Sequence, residues 1–148
     1  MPNSYARIWI HAIWSTKKRL PIIHPSYEVF LFRMMSDEFR QLGCPVRIVN
    51  GMPDHVHCLY LQNPKISATD TIKQIKGSSS YFINEEGLCE DGVFEWQRGF
   101  AALSVSDESL NRVYNYIRNQ KQHHNGLSFK EEYRVFREKI QNQAGPFL

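Results

Sequence analysis

The turn Gly51-Met52-Pro53-Asp54 separates two short apolar runs, 46–49 and 56–61, and that arrangement constrains the middle of the chain more than any other feature. Runs so short and so closely linked satisfy their backbone groups most simply by pairing as antiparallel strands. Before them, 5–14 alternates, with Ile8, Ile10, Ala12 and Trp14 on one face and Arg7, Trp9, His11 and Ile13 on the other. That predicts a strand covered in part on both faces. A basic loop, 17–21, ends in proline; Ser26 then caps a helix to about residue 42, stopped by Gly43. Val29, Phe30, Phe32, Arg33, Met34, Phe39 and Leu42 give it a broad apolar side. Ser67 caps a second helix carrying Ile72, Ile75, Tyr81, Phe82 and Ile83, weakened by Gly77 and three serines. A strand is expected within 94–105, and Ser106 or Asp107 opens a third helix to about 124. Gly126 breaks the chain, and Ser128 caps a last helix to about 140. Strand, helix, strand, strand, helix, strand, then helices predicts an α+β fold: a ferredoxin-like antiparallel sheet with helices packed on it and additional C-terminal helices.

Length and balance fit one domain, 1–148. At 148 residues, 42% hydrophobic and 22% charged, the sequence is globular in character and not disordered. Its net charge of +3 is too small to argue a nucleic-acid partner by itself. Cys44, Cys58 and Cys89 are odd in number and lack CxxC spacing, which indicates neither a disulfide framework nor a thiolate zinc site and fits a reducing cytoplasm. No apolar run approaches the ~18 residues of a membrane span, the first residues do not resemble a signal peptide, and no P-loop pattern suggests a nucleotide cofactor. A cytoplasmic protein without membrane partners is expected.

The densest chemical signal is Pro53-Asp54-His55-Val56-His57-Cys58. Alternation points His55 and His57 the same way from neighbouring pleats, where two imidazoles can meet one divalent ion, and turns Val56 and Cys58 to the opposite face. Two histidines on an exposed sheet face are the plainer alternative. The third helix bears on the choice. Leu110, Val113, Tyr114 and Ile117 recur at helical spacing and form its buried stripe, so Tyr114 is a core aromatic. Tyr116 falls off that stripe, with Arg112, Asn119, Gln120 and His123 on a polar face. Gln120, four residues on, shares that face and offers an amide oxygen. His123 is a reserve ligand. The serines 78–80 have no histidine and acid placed to activate them. The acidic loop residues Glu85, Glu86, Glu90, Asp91 and Glu95 would repel DNA and should face solvent.

Taken together, Met52-Pro53-Asp54-His55-Val56-His57 with Leu59, Lys76-Gly77-x-Ser79-Ser80, Phe94-x-Trp96-x-x-Gly99-Phe100 and Tyr116-Ile117-x-Asn119-Gln120 resemble the single-tyrosine HUH transposases of small insertion sequences, the IS200-like family that includes REP-associated tyrosine transposases. The resemblance runs in order over about 5–121; the helix at 128–140 lies beyond it. It implies a metal-dependent single-strand DNA endonuclease and strand transferase that recognises hairpin ends. Tyr116 would be the nucleophile of a 5′-phosphotyrosine intermediate, His55, His57 and Gln120 the ligands of Mg or Mn, and the active form a homodimer whose tyrosine helix can serve either subunit. Arg7, Lys17, Lys18, Arg19, Lys73, Lys76, Arg112, Arg118 and Lys121 are candidate phosphate contacts. A domesticated hairpin-binding relative and a non-catalytic ferredoxin-like nucleic-acid-binding module are the rival expectations.

Overall fold

The computed structural model describes residues 4–123 together with Glu131 and Arg134. Four strands, β1 (Trp9–Ser15), β2 (Val46–Met52), β3 (His55–Leu61) and β4 (Ala101–Val105), form one antiparallel sheet in the order β2-β3-β1-β4. Helix α1 (Glu28–Gln41) connects β1 to β2, and α2 (Ala68–Glu85) connects β3 to β4. This is the ferredoxin-like α+β arrangement that the order of elements predicts. Short 3-10 turns, Lys17–Arg19 and Asp107–Ser109, follow β1 and β4, and α3 (Leu110–Arg118) and α4 (Gln120–His123) complete the described chain. Of the helix expected at 128–140 only Glu131 and Arg134 are described, both helical; the other residues of that stretch and Gly126 lie outside the described residues. Among those residues no helix is long and apolar enough to cross a membrane.

Both faces of the sheet are covered, because the strands carry apolar residues at odd and even positions alike. Ile10, Ala12, Trp14, Val56, Cys58 and Tyr60 pack with Leu31, Met35 and Phe39 of α1 and Ile72, Ile75 and Ile83 of α2. On the other face, Trp9 and Leu59 pack with Leu110 and Ile117 of α3. The site is built on this second face, where α3 lies over the β2–β3 hairpin.

Three local expectations are corrected. Ser26 sits in the turn before α1, and Tyr27 occupies the cap position without a side-chain capping bond, its hydroxyl donating instead to the Ile22 carbonyl. The buried stripe of α1 is Leu31, Met35 and Phe39 at four-residue spacing, while Val29 and Phe30 are exposed. With apolar residues at nearly every position of 29–35, periodicity cannot choose a face, and the docking to the sheet does. The third helix is not continuous: Asn119, at φ −96° and ψ 21°, separates α3 from α4. In contrast, Ser67 caps α2 as expected, accepting from the Asp70 amide at 3.0 Å. Gly77 and its serines do not interrupt that helix. Ser78 and Ser80 donate back to the Gln74 and Lys76 carbonyls at 2.8 and 3.0 Å, which lets small polar residues sit inside it.

Candidate metal and nucleophile site

The β2–β3 hairpin delivers His55 and His57 to one face because strand side chains alternate. Both are fully buried, with ring centroids 5.1 Å apart, and Cys58 lies on the opposite face in the core. Burial pushes the Cys58 thiol well above its ordinary range, as befits an inert thiol. Gly51 makes the tight hairpin possible. A Cβ there would collide with the His55 carbonyl oxygen and come within 2.9 Å of the Val56 Cα.

Each imidazole is oriented through Nδ1. His55 Nδ1 lies 2.8 Å from Asp54 Oδ1, and His57 Nδ1 lies 2.8 Å from His11 Nε2. His11 is itself 2% exposed, and its ring stacks on His57 at 5.1 Å. Held this way, both rings present Nε2 as the ligating nitrogen, the arrangement in which outer partners orient metal-binding histidines. No trio of His, Cys, Asp and Glu among the described residues is arranged to hold an ion. The family resemblance implies the Gln120 amide oxygen as a third donor, and two imidazoles with one amide oxygen would fit a divalent ion such as Mn or Mg, with waters in the remaining positions.

Helix α3 brings Tyr116 to the pair. Leu110 and Ile117 are buried, Val113 and Tyr114 are packed against the same cluster, and Tyr114 also lies under the Arg47 guanidinium at 5.6 Å. Tyr116, half-buried, turns its ring toward His57 with centroids 5.9 Å apart and planes at 67°. In this chain the tyrosine therefore lies against the chain's own histidine. Gln120 is fully buried at the start of α4. The break at Asn119 means that Tyr116 and Gln120 are not one turn apart on a continuous helix, as periodicity suggests; they stand on consecutive short helices. The side chain of His123, the reserve ligand, lies outside the described residues.

Asn50, which sequence reasoning did not single out, fixes this junction. It pairs with His57 in the β2–β3 register, and its Nδ2 donates to the Ile117 and Arg118 carbonyls at 2.9 and 3.2 Å. It thus satisfies carbonyls that the end of a helix leaves without intrahelical partners. Lys121 holds α4 from the far side, donating to the Gly51 carbonyl at 2.9 Å and pairing with Glu28 at 3.1 Å.

The other cations named from sequence are distributed widely. Arg7 pairs with Asp107 at 2.9 Å, and Lys17 with Glu95 at 2.7 Å. Arg112 donates to the Ser109 hydroxyl at 3.2 Å, and Arg118 is exposed at the end of α3. Lys73 and Lys76 lie on α2, across the sheet from the histidines. Lys76 donates to the Gln97 and Gly99 carbonyls at 2.6 and 2.9 Å, and its partial burial lowers its pKa. Lys18 and Arg19 are exposed side by side with left-handed backbone, φ 57° and 55°. The acidic loop is exposed as expected, although Glu95 and Asp91 meet Lys17 and His24 there.

Comparison with known proteins bears on the family and the fold. The chain is 30% identical over 114 residues to the ISDra2 transposase TnpA of Deinococcus radiodurans, spanning 74% of this chain and 81% of that one. Its fold superposes on a crystal structure of a transposase from Deinococcus radiodurans R1 with a TM-score of 0.64 and 25% identity, over 80% of this chain and 94% of the other. It also superposes on a REP-associated tyrosine transposase bound to a REP hairpin, with a TM-score of 0.58 and 16% identity, over 84% and 73% of the two chains; that likeness is one of fold. Residues 4–120 match the family described as Transposase IS200 like. By that match the chain belongs to the IS200-like transposase family.

Proposed function

We propose that this transposase cleaves and rejoins single-stranded DNA at hairpin ends through Tyr116. The observation that carries the reading is the 5.9 Å approach of the Tyr116 ring to His57, in a chain whose two oriented histidines share one buried site. The tyrosine oxygen attacks the scissile phosphorus. A Tyr–O–P bond forms, the bond from phosphorus to the 3′ oxygen breaks, the phenol loses its proton and the departing 3′ oxygen gains one. The 5′ phosphate stays on the protein, so rejoining is the reverse exchange of one phosphoester for another and needs no nucleotide triphosphate. His55, His57 and Gln120 would hold Mn or Mg, which when bound polarises the phosphate and stabilises its developing charge. A phenol of pKa about 10 makes that assistance necessary near neutral pH.

The protein's own part is positional. Asp54 and His11 aim the imidazoles, Asn50 holds the end of α3, and Lys121 braces α4. Arg112, Arg118, Lys18, Arg19 and Arg7 supply positive charge to the strand, while Lys76 acts through the 97–99 loop that it holds. Hairpin binding, as in the REP-associated neighbour, and a cytoplasmic homodimer belong to the same proposal. Incubating the protein with a labelled hairpin oligonucleotide and Mn should yield a covalent adduct mapped by mass spectrometry to Tyr116. The adduct should be absent from Tyr116→Phe and present in Tyr114→Phe. Metal-independent DNA binding that survives His55→Ala and His57→Ala, with no adduct under any condition, would instead establish a binding module.

A further inference from the structure

A cavity of about 590 Å³ opens beside the histidine pair, within the range of ligand pockets, about 300–1,000 Å³. Its position follows from strand register. Ile13 on its wall pairs with His57 on one side and with Ala101 on the other, and Ser15 pairs with His55. Paired residues share a face and adjacent strands are about 4.8 Å apart, so the cavity lies on the histidine face, one strand away.

Its two rims are the turn after β1 and the segment entering β4. They are tied together. The Gln97 amide donates to the Ser15 carbonyl at 2.9 Å, and the Lys18 amide donates to Gln97 Oε1 at 3.1 Å. Lys76 holds the 97–99 segment from behind through two carbonyls. The left-handed backbone of Lys18 and Arg19, unusual for residues with side chains, belongs to one rim, and Gly99, at φ +86°, to the other. The cavity is thus formed before any ligand arrives.

Its chemistry is one-sided. Lys18, Arg19 and Arg98 line it and no carboxylate does. The side chains of Lys18 and Arg98 have no ion-pair partner among the described residues. Phe100, 36% exposed, adds an aromatic ring to the same lining. Cations for phosphate and a ring for a base are the two elements of single-strand recognition without sequence readout.

We infer that this cavity is a nucleotide subsite for the strand flanking the scissile phosphate, with Lys18, Arg19 and Arg98 binding the backbone and Phe100 stacking one base. The inference rests on the strand-transfer reading above for its substrate, and neither Arg98 nor Phe100 has a part in the chemistry proposed there. The test is fluorescence anisotropy with the full chain and two labelled probes: an oligothymidylate of about 12 nucleotides, and an abasic strand with the same number of phosphates, each titrated at salt from about 50 to 200 mM. Wild type should prefer the base-bearing strand. Phe100→Leu, which keeps apolar bulk but removes the ring face, should lose most of that preference, about tenfold, and Phe100→Trp should keep it. Arg98→Ala should weaken both probes and flatten the salt dependence by about 0.7 in log–log slope, one phosphate's share for a single strand. An unchanged base preference in Phe100→Leu, or an unchanged slope in Arg98→Ala, overturns the subsite. Adduct formation at Tyr116 is scored separately: adduct with unaltered binding in these variants removes the subsite alone, and altered binding without any adduct removes strand transfer alone.

Discussion

His11 Nε2 lies 2.8 Å from His57 Nδ1, so the imidazole best placed against Tyr116 is oriented by another imidazole and not by a carboxylate. For Nε2 of His57 to bind an ion, His57 must keep its proton on Nδ1 and donate it to His11. His11→Ala removes that acceptor and should weaken Mn binding by roughly 10–100-fold, the usual effect of losing an outer partner. Calorimetric titration with Mn and the Mn-dependent rise in thermal midpoint both read this without DNA. Equal Mn affinity in the variant would show that His57 needs no orienting partner.

Asn50 joins the histidine strand to the end of the tyrosine helix. Asn50→Ala leaves His55 and His57 with their own partners but removes the side-chain donor that ties the Ile117 and Arg118 carbonyls to β2. Adduct yield should fall at least tenfold while Mn affinity stays within about threefold, together with a stability loss of about 1–2 kcal/mol. Parallel loss of metal affinity and adduct would place the effect in the histidine pair instead.

Gly51→Ala should be among the most damaging single-methyl changes in the chain. The added carbon meets backbone atoms of His55 and Val56, which cannot rotate away as a side-chain end could. A loss of about 1–3 kcal/mol is expected from overpacking, read by urea denaturation. The same hairpin carries the ligands, so Mn affinity should fall with it. By contrast Gly77→Ala, in open space within α2, should be neutral to stabilising by up to about 1 kcal/mol.

Part of this arrangement is legible in the sequence, for definable reasons. A period of two places His55 and His57 on one face and Cys58 on the other, and a period of 3.6 separates Tyr116 from the stripe of Leu110, Val113, Tyr114 and Ile117. Both are local rules; the first holds in the fold, while the second holds only in part, because Tyr114 and Tyr116 are both partly buried against the cluster of Leu110 and Ile117. What sequence concealed is tertiary. Asn119 is only a weak stop signal, with neither glycine nor proline beside it, and the bend is supported by Asn50 from a distant strand. Lys76 looks like any exposed lysine of α2 until the 97–99 segment folds back onto it. His11, off by one in the alternation from the core residues of β1, shows its role only when β1 lies beside β3. The buried side of α1 was obscured for the opposite reason: too many apolar residues, and no polar ones to mark the outer face.

Tyr60 offers a prediction independent of the chemistry. Its ring packs on Phe39 at 4.5 Å in the core, and its hydroxyl is buried with no hydrogen-bond partner among the described residues. Burial raises its pKa above the ordinary 10.0, as it raises that of neighbouring Cys58 above 9.0. The folded state therefore holds both protons more tightly than the unfolded chain does. Stability from this source is fully present below about pH 9 and is lost as rising pH ionises the thiol and phenol of the unfolded chain. Tyr60→Phe keeps the ring contact and removes the stranded hydroxyl. It should raise stability at neutral pH by about 1 kcal/mol and make the loss between pH 9 and 11 shallower, as read by urea midpoints across that range. A Phe variant less stable than wild type at pH 7 would mean that the hydroxyl is hydrated in solution and contributes to the fold.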